Sequence, residues 1–158
     1  ALYDQVRVIQ QHRAATNGAL AGNPFFESKT RILAREVNNR FKELNRMMED
    51  RPELHNNLVW SDVNNAWQTV HLQWRHDEVI ENFELHSHLV KQILSYIAEV
   101  GHKAEGLIET NFHNRALSHY VFEDLPWFIE LLGQIRALGT SAAVVGVWMN
   151  PVKCAFAF

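Results

Sequence analysis

Residues 60–74 read WSDVNNAWQTVHLQW, and the spacing within this stretch decides the fold class. Trp60, Val63, Trp67, Val70 and Trp74 follow one another in steps of three and four residues, with polar side chains such as Ser61, Asp62, Asn65 and Gln68 between them. A helix of 3.6 residues per turn gathers such positions on one stripe, whereas a strand would scatter them over both faces. Three indole rings on one face carry a large apolar area, so the expectation is that they are core.

The same periodicity extends in both directions. Toward the N-terminus a first helix runs from about Leu2 to Ala21 on Leu2, Val6, Ile9, Thr16 and Leu20, and Gly22 ends it. Asn23 as cap and Pro24 at the first helical position open a second, whose stripe is Phe26, Leu33, Val37, Phe41, Leu44 and Met48. Asp50, Arg51 and Pro52 form the turn into the tryptophan helix. Beyond it, Asp77 caps a fourth helix carrying Val79, Phe83, His86, Val90, Ile93, Ile97 and Val100, which Gly101 closes. Residues 102–123 are less regular, with a helix beginning near His113, and Pro126 opens a last helix reaching about Met149. Its stripe is Phe128, Leu131, Ile135, Leu138, Ala142, Val145 and Met149, read as core-facing. The expectation is therefore an all-α chain, an antiparallel helical bundle of about six helical segments forming one domain over residues 1–158. Gln11-His12-Arg13-Ala14 in the first helix is faintly echoed by Gln134-Ile135-Arg136-Ala137 in the last.

Composition narrows the function classes. A net charge of -3, from 15 basic and 18 acidic residues without a basic cluster, argues against nucleic acid as a partner. The single cysteine, Cys154, excludes an internal disulfide and leaves the compartment open. No apolar run approaches the roughly 18 residues of a membrane span. The apolar end at Ala155-Phe156-Ala157-Phe158 and a start inside a helical pattern read as the trimmed edges of a larger protein. No Gly-rich phosphate loop, nucleophile elbow, zincin motif or di-iron pair of Glu-x-x-His motifs is present, so catalysis is not expected. Nor are metal or cofactor, because His71/His76, His86/His88 and His113/His119 miss the three- or four-residue spacing that pairs side chains on a helix.

Three strings carry a family resemblance: Gln10-Gln11-His12-Arg13 near the start, His86-Ser87-His88-Leu89-Val90 in the middle, and Leu125-Pro126 followed by Gly133-Gln134-Ile135-Arg136-Ala137-Leu138-Gly139. In order and spacing the chain resembles the helical periplasmic sensor domains of methyl-accepting chemotaxis proteins, sensor histidine kinases and GGDEF-type diguanylate cyclases. One arginine on the first helix and one on the last is also similar to nitrate- and nitrite-sensing domains, although His12 and Ala14 stand where those domains place glutamate and glycine. The resemblance implies a periplasmic domain of an inner-membrane two-pass receptor, anchored by flanking helices and homodimeric in the full protein. A ligand-free dimerisation or interaction module is the alternative, and a histidine-based metal or haem sensor a more remote one.

Arg13 falls on the apolar stripe of its helix, where a charge needs a partner, either an acidic neighbour such as Glu36 or Glu130 or a bound anion. If the last helix descends from the same end at which the first one turns, Arg136, His86 and Trp67 come to the level of Arg13. The expected ligand site is thus a small-anion pocket between the first, fourth and last helices, with Arg13 and Arg136 as donors and His86 and Trp67 as further contacts.

Overall fold

A computed structural model describes residues 1–52, 57–106 and 117–146. It contains α1 (Leu2–Leu20), α2 (Phe25–Glu49), α3 (Asn57–Gln73), α4 (Val79–Gly106) and α5 (Leu125–Val145), the last entered through a π-helical turn at Tyr120–Asp124. No strand occurs among the described residues, and the chain is all-α. Five α-helices stand where about six segments were expected. Helix α4 continues five residues past Gly101, and the last two expected segments merge into one helical run from Leu117 to Val145. The start of the segment expected from His113, and Met149 of the last stripe, lie outside the described residues.

Pro126 does not open a separate helix. It has no N–H to donate and its ring crowds the carbonyl four residues earlier, so the preceding turn widens instead of breaking. The Leu125 N–H accordingly reaches back to the Tyr120 carbonyl, the five-residue step of a π turn. Gly22 ends α1 as read, with a positive φ of 100°, whereas the last helix stops before Met149, at Gly146 with a positive φ of 74°. Asn23 accepts the Phe25 backbone N–H at 3.1 Å and so caps the start of α2.

Side-chain contacts set the helix directions. Gln5 meets Val37 and Gly18 meets Phe26, so α1 and α2 are antiparallel. Trp60 bonds Asn45 and Trp67 bonds Asn38 across α2 and α3, Trp60 packs on Tyr96 across α3 and α4, and His12 meets His86 across α1 and α4. These four helices run alternately up and down. Helix α5 then lies along α1 and α4, in the same direction as α1: Tyr3 bonds the Val121 carbonyl near the start of both, Gln10 and Arg13 reach Glu130, and Gly22 lies beside Ala143 near their ends. The expected descent of the last helix from the Gly22 end is therefore corrected; α5 begins at the opposite end.

The tryptophan stripe is buried as read, with Trp60, Val63, Trp67, Val70 and Trp74 all in the core. Trp67 stacks on Phe41 at 6.3 Å and donates its indole N–H to Asn38 at 2.8 Å. The stripes of α2 and α4 also point inward through Leu33, Val37, Phe41, Leu44, Val90, Ile93 and Ile97. The stripe of α5 does not: Phe128 is 58% and Ile135 66% exposed, and Leu131, Leu138 and Val145 are exposed as well. Its buried side is Pro126, Glu130, Gly133, Ala137 and Ser141, small or polar residues that let α5 approach α1 closely. By length and composition the helical run Leu117–Val145 is apolar enough to cross a membrane. Within the bundle it packs against α1 and α4, and α1 in turn against α2, whose outer face carries exposed Arg31, Arg35, Lys42 and Arg46.

Replacing Trp67 with Ala should cost about 3–5 kcal/mol of unfolding free energy, because a fully buried ring leaves a cavity and Asn38 loses its donor. Urea denaturation monitored by far-UV circular dichroism measures this, and a loss below about 1 kcal/mol would contradict the packing.

Candidate functional site

Helix α1 is the centre of the bundle. Between Gln5 and Gly18 only Arg7 is exposed, and the enclosed residues include Gln5, Gln10, His12, Arg13, Thr16 and Asn17. A helix surrounded on all sides loses the distinction between apolar and polar faces, so its polar groups must find partners inside.

Arg13 finds three. Its Nη1 donates to Glu130 Oε1 at 2.6 Å and to Ser87 Oγ at 2.8 Å, and its Nη2 donates to Glu130 Oε2 at 3.3 Å. The Phe83 ring covers the guanidinium at 5.3 Å. Glu130 also accepts from Gln10 Nε2 and Gln134 Nε2, both at 2.8 Å, so four donors from two helices converge on one carboxylate. Gly133 leaves room beside it, since a Cβ there would stand 3.0 Å from the Gln10 amide and 3.1 Å from Arg13 Nη2 and would push these side chains back. Arg13 and Glu130 are 0% and 1% exposed, so this is a dry ion pair joining α1 to α5.

Next to it lies a histidine relay. His86 Nδ1 is 2.8 Å from the Asn82 carbonyl and therefore donates, leaving Nε2 as acceptor. His12 Nδ1 lies 2.8 Å from that Nε2 and donates to it, which leaves His12 Nε2 as a buried lone pair without a partner among the described residues. Trp67 meets the His12 ring edge-on at 5.1 Å and stacks on His71 at 5.4 Å. Burial, followed by the backbone hydrogen bond acting in the opposite sense and by the nearby Arg13 charge, brings His86 down to a pKa of about 3. Burial, then His86 and His71, holds His12 well below its ordinary value. Both imidazoles are neutral in the folded protein at neutral pH. Among the described residues no group of three histidine, cysteine, aspartate or glutamate side chains is arranged to hold a metal ion.

Of the four residues expected to form the site, Arg13, His86 and Trp67 converge on one layer, Trp67 through His12. Arg136 does not join them. It lies on the exposed side of α5, one position before the buried Ala137, and its guanidinium has no ion-pair partner among the described residues. The reversed direction of α5 and its inverted facing both remove it. The counter-charge to Arg13 is thus a carboxylate of the chain, Glu130, while Glu36 pairs with Arg40 at 3.1 Å. His12, Gln10 and Ser87 were missed. Their signal was the run of polar residues at Gln5, His12 and Thr16, which recur at helical spacing on a side of α1 that would otherwise be a surface.

A cavity of about 390 Å³ opens where α1, α4 and the start of α5 meet, below this layer. Val6, Leu94, Leu125, Pro126 and Ile129 make apolar walls, and Tyr3, Asp4, Arg7 and Gln10 supply polar atoms. Gln10 is shared: it lines the cavity and donates to Glu130. Comparison of the chain with protein-family models, with characterised proteins and with solved structures finds no match.

Two outcomes are expected. Glu130→Ala leaves Arg13 buried without its counter-charge and should lose about 3–5 kcal/mol, whereas the double variant Arg13→Met/Glu130→Leu should regain most of it. Chemical denaturation of the two variants decides; equal losses would mean that the pair is not the relevant interaction. The second outcome concerns acid. Unfolded imidazoles bind protons as pH falls through about 6.5, while the folded His12 and His86 do not. The stability they protect is full above that pH and is lost as pH falls toward the folded values, by roughly 1.4 kcal/mol per unit for each histidine. Melting temperatures should drop steeply between pH 6 and pH 4 on the order of that slope, and His86→Gln should make the decline about half as steep. An unchanged slope in the variant would assign the acid sensitivity to other groups.

Proposed function

We propose that the chain is the extracytoplasmic input domain of a two-pass membrane signal transducer and that it senses a small ligand rather than catalysing a reaction. The observation that carries this reading is the cavity between α1, α4 and α5, because Gln10 ties it directly to the ion pair that holds α1 and α5 together. The volume suits a small molecule. Its apolar walls favour an alkyl or aromatic body. Arg7, on the rim without an ion-pair partner among the described residues, favours a carboxylate at one end, with Asp4, one turn earlier, also lining the cavity. The small-anion reading is kept in this form, with Arg7 in place of Arg13 and Arg136.

Mechanistically, a ligand that takes Gln10 away from Glu130 weakens one of four bonds on that carboxylate and favours a different placing of α5 against α1. A signal results only if the ligand binds one placing better than the other. The exposed stripe of α5 supports the alternative of an interaction module, and the two roles are compatible on one bundle.

The direct test is a thermal-shift series at constant ionic strength with benzoate, hexanoate, nitrate and sulfate. At one hundred times its dissociation constant a ligand adds roughly 2.7 kcal/mol, a rise of about 5–10 °C for a chain of this size. Benzoate or hexanoate should give a saturable rise that Arg7→Ala weakens and Ile129→Trp abolishes. No saturable shift with any of the four, or a shift untouched by both variants, would overturn the reading.

A further inference from the structure

Helix α5 carries Phe128, Leu131, Ile135, Leu138, Ala142 and Val145 in alternating steps of three and four residues, the seam of a helix that packs along another helix. Every one of the large side chains in that seam is exposed, and Leu125, Ile129 and Leu132 beside it are exposed too. In the register that aligns Gln11-His12-Arg13-Ala14 with Gln134-Ile135-Arg136-Ala137, the exposed Phe128, Ile129, Leu131, Leu132, Ile135 and Leu138 fall on Gln5, Val6, Val8, Ile9, His12 and Ala15. All six of those α1 residues are buried by neighbouring helices. The outer side of α5 thus has the placement of a bundle-core surface and lacks its cover.

We propose that this seam is covered by the same seam of a second copy of the chain, in a two-fold dimer formed by α5 against α5. Three observations select that occupant. Phe128, Leu131, Ile135, Leu138 and Val145 are 48–66% exposed along one stripe of the helix, a contiguous apolar surface of the kind that marks an interaction site, unlike singly scattered residues. The seam itself bears no charge, so it meets its own copy without burying like charges, and Arg136 lies at its flank where water reaches it. A bilayer is the poorer cover, because α5 is pinned by Glu130 to α1 and through it to the charged outer face of α2.

Sedimentation equilibrium of the whole chain, with light scattering on a size-exclusion column, tests this. The expected mass is twice that of the monomer, and Leu131→Glu/Ile135→Glu should halve it with an unchanged far-UV spectrum, since both positions are outside the core. A wild-type monomer at the highest soluble concentration overturns the proposal, as does a dimer that survives the double substitution. A monomer that instead co-sediments with phosphatidylcholine–phosphatidylglycerol vesicles through these two residues assigns the seam to lipid and equally overturns it. The proposal is independent of the ligand site, and the monomeric variant separates the two. A benzoate or hexanoate shift retained in that variant leaves the sensing reading in place whatever the mass measurement returns, and a dimer without any such shift does the reverse.

Discussion

A guanidinium placed in the middle of a helical bundle imposes the constraint on which the remaining structure rests. Arg13 is fully enclosed, and an isolated charge there would cost several kcal/mol, so a counter-charge has to be delivered to it with good geometry. Glu130 delivers it from α5, which is only possible because Gly133 and Ala137 keep the contact face of α5 thin. The polar remainder of the layer follows from the same need. Ser87, Gln10 and Gln134 add hydrogen bonds to the pair, and the His12–His86 relay occupies the space toward Trp67.

This layer divides the bundle into parts with different physics. The α2–α3–α4 side is a conventional aromatic core in which Phe41, Trp60, Trp67 and Tyr96 pack ring to ring. The α1–α5 side is held by charge and hydrogen bonds, which are directional and lose their value over a small displacement. A shift along the α1–α5 contact therefore breaks specific bonds, whereas the aromatic core is held by non-directional packing, and the cavity sits at the α1–α5 contact. Gln10 belongs to both. One side chain thus both lines the cavity and bonds the carboxylate that joins the two helices, and the proposed sensing role rests on that link.

Legibility differed from helix to helix for a physical reason. The stripes of α2, α3 and α4 were read correctly because each helix has one buried face and one wet one, and hydrophobicity marks the difference. Helix α1 was half legible: Val6 and Ile9 announced a face, but Gln5, His12 and Asn17 are buried as well, since a central helix has no outside. Helix α5 inverted the rule. Its apolar stripe faces out, and its inner face, Glu130, Gly133, Ala137 and Ser141, has the composition of a surface. The candidate site failed at the same place, because Arg136 was positioned by a direction and a facing that α5 does not have.

By itself the sequence determined the all-α class, the positions of most helix ends and the aromatic core, since turn chemistry and 3.6-residue periodicity are local and act wherever the segment lies. It also required a partner for Arg13, because the cost of a buried charge does not depend on topology. Only the tertiary structure decided which partner it is, that α5 runs with α1 instead of against it, and that His12 rather than Arg136 completes the layer. Those choices depend on contacts between residues about 75 to 120 positions apart, His12 with His86 and Arg13 with Glu130, and on packing small residues against α1 at the expense of burying an apolar stripe. No local propensity encodes such a choice; it emerges when a charged layer inside the bundle outweighs the hydrophobic facing of a single helix.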